Sequence, residues 1–293
     1  MDYIRAFSWR LIVVSLASVL AIGFARQTES QAVGDSFGSK FFIFNVTLSA
    51  TFLIGFFSSK LRWIQHLDTW LHEFGHATTV TMFGGVPKSI KLNQDSSGVT
   101  SFRHGKLTPF RDILISAAGP TASSFALLFG VFLVKSGSSF WLLSIVCLIT
   151  FLILVSTVRT SFGWMVGILV WLSLAVTYSI SKGWLVNLYY PNAMDLYFGA
   201  FLGLATGVAI RASLRRIRVH GVHGDEGKIA AHLHLPEVLV DWGLVIVNIG
   251  IAIGVFQYLD VKGSAQQVIT NYPEIQAKLA ELVAWFGEIP LFK

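Results

Sequence analysis

Charge is scarce in this chain: 13% of its 293 residues are Asp, Glu, Lys or Arg, about half the roughly 25% usual in a soluble domain. No polar segment is long enough to fold as a separate soluble domain. Cysteine is nearly absent. The single Cys147 lies in the apolar run SFWLLSIVCLITFLILVSTV, and neither a disulfide framework nor a thiolate metal site can be built from it. Any metal must therefore use His, Asp or Glu. Basic patches with interleaved aromatics are also missing, which argues against nucleic acid as a partner despite the net charge of +6.

Apolar residues are abundant instead, at 54% of the chain, with a mean hydropathy of +0.64. Several stretches approach the roughly 20 apolar residues that a helix needs to cross a bilayer. The fold class expected is an all-α polytopic membrane protein with seven or eight membrane helices. The run from Leu11 to Ala25, between Arg10 and Arg26, is expected to be a retained anchor rather than a cleaved leader. Further runs cover Phe41–Ser59, Phe110–Val134, Phe140–Val158, Phe162–Ile180, Ala193–Ile210 and Val238–Leu259. They compose one membrane domain, residues 1–262. A tail, 263–293, follows, in which Ile275, Leu279, Leu282, Val283 and Phe286 mark one side of a surface-lying amphipathic helix. Lys and Arg concentrate around Val86–Arg111, at Arg159 and in the 211–235 loop, which places those segments on the cytoplasmic side.

The segment 61–83 departs from this apolar pattern. It carries Arg62, His66, Asp68, His72, Glu73 and His76 among Trp63, Leu67, Trp70, Leu71, Phe74 and Val80, so its polar groups need a protein-lined interior. Gly84-Gly85 ends the helix, and Pro87 lies just beyond. Residues 86–104 then alternate polar and apolar around Asp95-Ser96-Ser97-Gly98, the pattern of a short β-hairpin.

Within the helix, His72-Glu73-Phe74-Gly75-His76 carries chemistry. Residues four apart share a helix face, so His72 and His76 can present two imidazoles to one ion. Glu73 is rotated by about 100° from His72, which sets its carboxylate beside such an ion as a general base for an attacking water. Such a triplet can arise by coincidence in a soluble helix. In an apolar bundle, each ionisable group costs roughly 2.5 kcal/mol or more on insertion scales, so three within one turn call for a compensating cation. Zinc catalysis uses three protein ligands and an open position. The third ligand must come from elsewhere: Asp225 ranks first, in HGVHGDEGKIAAHLHLPEVL, with Glu226 beside it. Asp195, in YYPNAMDLYFG at the start of an apolar run, is the rival. His220, His223, His232 and His234 read as solvated loop histidines.

Four blocks, LHEFGHATTVTMFGGVPKSIKL, NQDSSGVTSFRHG, the Ala-Ala-Gly within Ile115–Ser124, and HGDEGKIAAHLHLPEVLVDWGLV, lie in order between positions 71 and 246. Together they resemble the site-2-protease class of membrane zinc metallopeptidases, in its compact branch with a hairpin after the zinc helix. The resemblance implies that His72 and His76 bind Zn2+, that Glu73 is catalytic and that Asp225 completes the site. It also implies membrane-protein substrates cut in or near their transmembrane segments, with an exposed hairpin edge available to hold an unwound substrate. The chain departs from the family pattern at Gly224-Asp225-Glu226, Gly119-Pro120 and Arg159-Thr160, where relatives usually read Ser-Asp-Ala, Gly-Tyr and Arg-Asn. Two other functions use parts of the same pattern: an idle zinc-site scaffold or complex subunit, and a metal transporter drawing on the eight histidines. A transporter predicts paired polar residues in several spans, whereas these spans are nearly bare of charge. A bacterial plasma membrane fits the size of the chain, and a plastid membrane is the second placement.

Overall fold

A computed structural model describes residues 5–15, 17–18, 42–57, 62–95, 97–135, 139–182, 193–216 and 224–259. Residues 5–15 are helical. They are followed by α1 (Phe42–Phe57), α2 (Arg62–Met82), β1 (Val86–Leu92), β2 (Gly98–Arg103), α3 (Pro109–Lys135) and α4 (Ser139–Ser156). The chain continues through α5 (Ser161–Ser181), α6 (Ala193–Arg216), α7 (Asp225–Leu233) and α8 (Glu237–Tyr258). Among the described residues, α3, α5, α6 and α8 are long and apolar enough to cross a membrane, while α1 and α4 contribute shorter apolar helices. The predicted first span lies largely outside the described residues, as does the 263–293 tail.

Lipid offers no hydrogen bonds to backbone groups, which is why apolar runs of this kind close their own as helices. The faces left outside are apolar. On α5, Trp164, Ile168, Leu169, Leu172 and Val176 are exposed, as are Leu239, Ile246 and Ile253 on α8. The core runs between the helices through Leu48, Leu127, Val131, Ile153, Leu174 and Leu202. Trp9, in the amino-terminal helix, is wholly buried. Its indole N–H donates to Thr157 Oγ1 at 2.9 Å, and its ring lies 5.9 Å from that of Phe74 on α2.

The closest helix pairing is α1 with α6, which run side by side because α6 offers glycine at every fourth position. A Cβ at Gly199 would lie 2.9 Å from Phe44 O, one at Gly203 would strike Leu48 O and Thr51 Oγ1, and one at Gly207 would strike Phe52 O. Thr51 Oγ1 also reaches Gly199 O at 3.2 Å. Small residues at this spacing let two backbones touch, and that contact replaces the hydrophobic driving force that lipid removes.

The predicted stop and hairpin are present. Gly84 adopts φ 81°, and the amides of Gly84 and Gly85 bond back to Thr81 O and Val80 O at 3.0 and 2.9 Å, closing the last turn of α2. Strands β1 and β2 pair antiparallel, with Ile90 opposite Thr100 and Leu92 opposite Gly98. Asp95 turns the hairpin by accepting from the Ser97 amide and hydroxyl at 3.0 and 2.6 Å. Only part of the expected exposed edge is free, because β1 is taken on its outer side. Ile90 N donates to Thr157 O at 3.1 Å, Arg159 N donates to Ile90 O at 3.3 Å, and Thr160 Oγ1 donates to Leu92 O at 3.1 Å.

The 211–235 loop also differs from expectation. Helix α6 continues to Arg216, and Asp225 begins a helix of nine residues. So short a helix has too few turns to display a periodicity, and its opening Gly-Asp-Glu reads as loop. Asp225 and Glu226 instead occupy a first helical turn, where backbone N–H groups favour negative charge.

The glycine contacts carry a direct prediction. Gly203→Val should lower stability by about 1–3 kcal/mol through overpacking against α1, read as a lower melting temperature of the protein in detergent. Gly254→Ala, where no atom lies within 4 Å of the added Cβ, should leave it unchanged.

Candidate active site

Helix α2 places His72 and His76 one turn apart, and their Nε2 atoms approach to 3.1 Å. Asp225 Oδ2 completes the group, 3.1 Å from His72 Nε2 and 2.9 Å from His76 Nε2. These are the atoms of a candidate metal group, all within 4.8 Å of one another. The tautomer of His76 is fixed from behind, because its Nδ1 lies 2.7 Å from Ile115 O. A carbonyl only accepts, so Nδ1 carries a proton, and in the neutral ring Nε2 turns its lone pair towards the carboxylate. Two acceptors facing each other at that distance repel unless a proton or a cation lies between them.

The donor set fits zinc. Bonds of about 2.0–2.1 Å in a tetrahedral site put neighbouring ligand atoms about 3.3 Å apart, close to the separations found. Two imidazoles and one carboxylate form a known zinc-binding combination that leaves a fourth position open. Glycine at 119 makes the room, since a Cβ there would strike His76 Nε2 and lie 2.7 Å from His72 Nε2.

Asp225 is delivered by α7, which docks through its apolar face. Ile229 and Ala230 are buried with Val240 of α8 against Ile113 and Ala117 of α3. At the far end of α7, His232 Nε2 meets Asp112 Oδ2 of α3 at 2.7 Å. Burial raises the pKa of the Asp225 carboxyl, but when His72 and His76 are protonated their hydrogen bonds and charge outweigh it and hold the group well below the usual carboxylate range. Its second oxygen, Oδ1, faces Lys228 Nζ at 3.8 Å.

Glu73 is 4% exposed, and its carboxylate meets the hairpin. Thr100 Oγ1 of β2 lies 2.6 Å from Glu73 Oε2 and 3.1 Å from Glu73 O.

The remaining sequence candidates stand apart from this group. Glu226 is buried on α7 but is not one of the three clustered residues. Asp195 opens α6 at the wrong depth. Thr206 Oγ1 lies 3.4 Å from Ser123 O, and Leu202 packs where Gly130 leaves space, so α6 runs opposite to α3. Asp195 precedes Thr206 by eleven residues (206 − 195), roughly 16 Å of helix rise, in the direction away from Gly119. His66 stacks edge-on with Phe162 at 4.7 Å, and His234 caps α7 with φ 55°. His220 and His223 lie outside the described residues. Sequence reasoning missed Thr100, Gly98 and the space-making role of Gly119; the Ala-Ala-Gly run was the only signal, and it did not reveal what the glycine faces.

Because a Cβ at 119 would crowd both rings, Gly119→Ala should abolish stoichiometric zinc binding by the purified protein while leaving its helical content intact, read by metal analysis and circular dichroism. His232→Ala, which frees the far end of α7, should weaken zinc affinity roughly tenfold, as loss of a supporting contact behind a metal site does. Competition with a zinc chelator measures it.

No curated protein and no solved structure matches the chain. A family model does: residues 43–255 match the one described as Peptidase M50B-like. That span holds both elements of the metal group and the four long apolar helices up to Val255. A match over so much of an apolar, helical chain makes this an integral membrane protein that belongs to the Peptidase M50B-like family of membrane metallopeptidases.

Proposed function

We propose that this protein is an intramembrane zinc metalloprotease that hydrolyses peptide bonds in or near transmembrane segments of partner membrane proteins. The observation that carries the proposal is the convergence of His72 Nε2, His76 Nε2 and Asp225 Oδ2 to 2.9–3.1 Å. Three polar atoms so close, in so apolar a bundle, call for a proton or a cation between them, and two imidazoles with one carboxylate suit zinc. The three residues would hold zinc, with Asp225 rather than Asp195 or Glu226 as the third ligand. Zinc bound there supplies acidification of a water and polarisation of the scissile carbonyl.

The chain's own groups do the rest. Glu73, beside His72, takes a proton from water on its carboxylate and returns it to the leaving amine. His76 keeps its Nε2 available because Ile115 O holds the proton on Nδ1. Asp225 neutralises charge at the site from outside the helix that carries the histidines. Water must reach these groups while the rest of the bundle stays dry, and the cytoplasmic end, where α7 and the hairpin lie, is the side from which it comes. A cavity of about 990 Å³ flanks α2 on its other side, with Leu71, Phe74, Thr78, Ala118, Phe129 and Leu202 among its walls. Its lining is almost wholly apolar, which suits a membrane-embedded partner better than a polar peptide. The full chain is proposed to cross the membrane seven or eight times, counting segments outside the described residues.

Metal analysis and cleavage of the purified, full-length protein test the proposal together. The parent should hold one zinc and cleave members of a panel of single-span membrane proteins. Glu73→Gln should keep the zinc and lose about 100-fold or more in rate. Asp225→Ala should release the metal, and Asp195→Ala should retain it. One zinc per chain with no cleavage by the parent would favour the idle scaffold and sink the protease.

A further inference from the structure

The hairpin touches the site at Glu73. On the face of β2 that turns to α2, the side chain of Thr100 and the bare Cα of Gly98 occupy alternate positions. Thr100 Oγ1 lies 2.6 Å from Glu73 Oε2. A Cβ at Gly98 would lie 2.7 Å from both Glu73 Cγ and Oε1, and 2.8 Å from Thr69 Cγ2. Strand β2 therefore supplies both a donor for one carboxylate oxygen and the space for the other.

The hydroxyl has a single proton and two acceptors in reach, and the shorter contact is to Oε2 rather than to the Glu73 carbonyl at 3.1 Å. Among the described residues, no other donor meets this carboxylate. A buried carboxylate with one oxygen held by a hydroxyl has its other oxygen left with its lone pairs unshared. Thr100 is itself held firmly. It is opposite Ile90 in the hairpin, and Ile90 is bonded on its far side to Thr157 O and Arg159 N. Threonine is also stiff at χ1. Glutamate, by contrast, has three rotatable bonds and loses rotamer freedom when fixed.

We propose that Thr100 is a positioning residue for Glu73: it donates to Oε2, leaves Oε1 to accept the proton from water, and works together with Gly98, whose missing side chain gives the carboxylate its place. This rests on the protease reading above and deepens it, since the strand would then set the geometry of the general base.

The test uses the zinc-loaded, full-length protein in detergent, the single-span substrate panel, and three variants, Thr100→Val, Thr100→Ser and Gly98→Ala. Thr100→Val keeps the shape and removes the donor. It should lower kcat roughly ten- to a hundredfold, the cost of a reacting group misplaced by about 1 Å. KM and zinc content should be unchanged. Thr100→Ser should keep most of the parent's rate, and Gly98→Ala should lose kcat as Thr100→Val does. The second readout needs no turnover: the infrared carboxylate stretch assigned to Glu73, identified by its disappearance in Glu73→Gln, should shift in Thr100→Val and return in Thr100→Ser. A Thr100→Val protein within about twofold of the parent's kcat, or a Thr100→Ser protein as slow as Thr100→Val, would overturn the proposal. If the parent cleaves nothing, the protease reading fails on its own account. The infrared band then decides the contact, an unshifted band in Thr100→Val overturning it and a shifted one sustaining it.

Discussion

Three electron-pair donors pointing at one another cannot rest in an apolar bundle, and most of the local architecture follows from that constraint. His72, His76 and Asp225 come from two helices far apart in sequence, and their Nε2 and Oδ2 atoms are 2.9–3.1 Å apart. Water would relieve such a cluster at a protein surface. Here His76 is 7% exposed, so relief must come from a proton or a cation. A helix carrying this burden cannot face lipid, and α2 is accordingly packed against α3, α6 and the hairpin rather than counted among the long apolar spans. Three of its ionisable side chains each meet a partner: Asp68 Oδ1 accepts from Ser123 Oγ at 2.8 Å, His76 Nδ1 meets Ile115 O, and Glu73 meets Thr100.

The same constraint explains the glycines that line the α2–α3 contact. A metal group needs both histidine rings to lie against α3, and only a residue without Cβ at 119 lets them. Gly75, on α2 itself, approaches the Ala118 carbonyl just as closely, so the two helices are pressed together at the level of the site. Pro120 follows at once, inside α3, where it removes a backbone donor. Its own carbonyl accepts from Asn248 Nδ2 of α8 at 3.1 Å. The turn of α3 that carries Pro120 is thereby tied to the helix that follows α7. The site is thus framed by helix backbones, which hold geometry better than loops do.

Much of this was legible in the sequence because it depends on local spacing. Two histidines four residues apart share a helix face in any helix, and Gly84-Gly85 before Pro87 ends one wherever it occurs. The alternation around Asp95–Gly98 set the hairpin within a residue of its observed limits. What was not legible depends on neighbours distant in sequence. The sequence ranks Asp225 ahead of Asp195 but leaves both open. Because α6 runs opposite to α3, Asp195 lies roughly 16 Å of helix rise beyond Thr206 in the direction away from Gly119, whereas α7 brings Asp225 to the two histidines. Helix α7 was read as loop because nine residues give periodicity too few turns to register. Thr100 looked like an ordinary strand residue, and Gly98 like turn punctuation, until the strand was laid against α2.

A peptide bond inside a helix has its carbonyl and amide already satisfied, so a membrane-spanning substrate must unwind before any general base can act on it, and the unwound stretch then needs new backbone partners. Strand addition to an open edge is the usual physical answer. Of the two edges of this hairpin, the β1 side is closed at Ile90 and Leu92 by the segment 157–160. Among the described residues, the outer side of β2 from Gly98 to Phe102 has no backbone partner beyond β1. A substrate strand added there would run alongside the residues that hold Glu73, so the edge that replaces its lost helical bonds would also bring its carbonyls to the general base. An edge left open in lipid would be costly, and under the proposed function, in which the site admits both water and an unwound chain, that cost has a use.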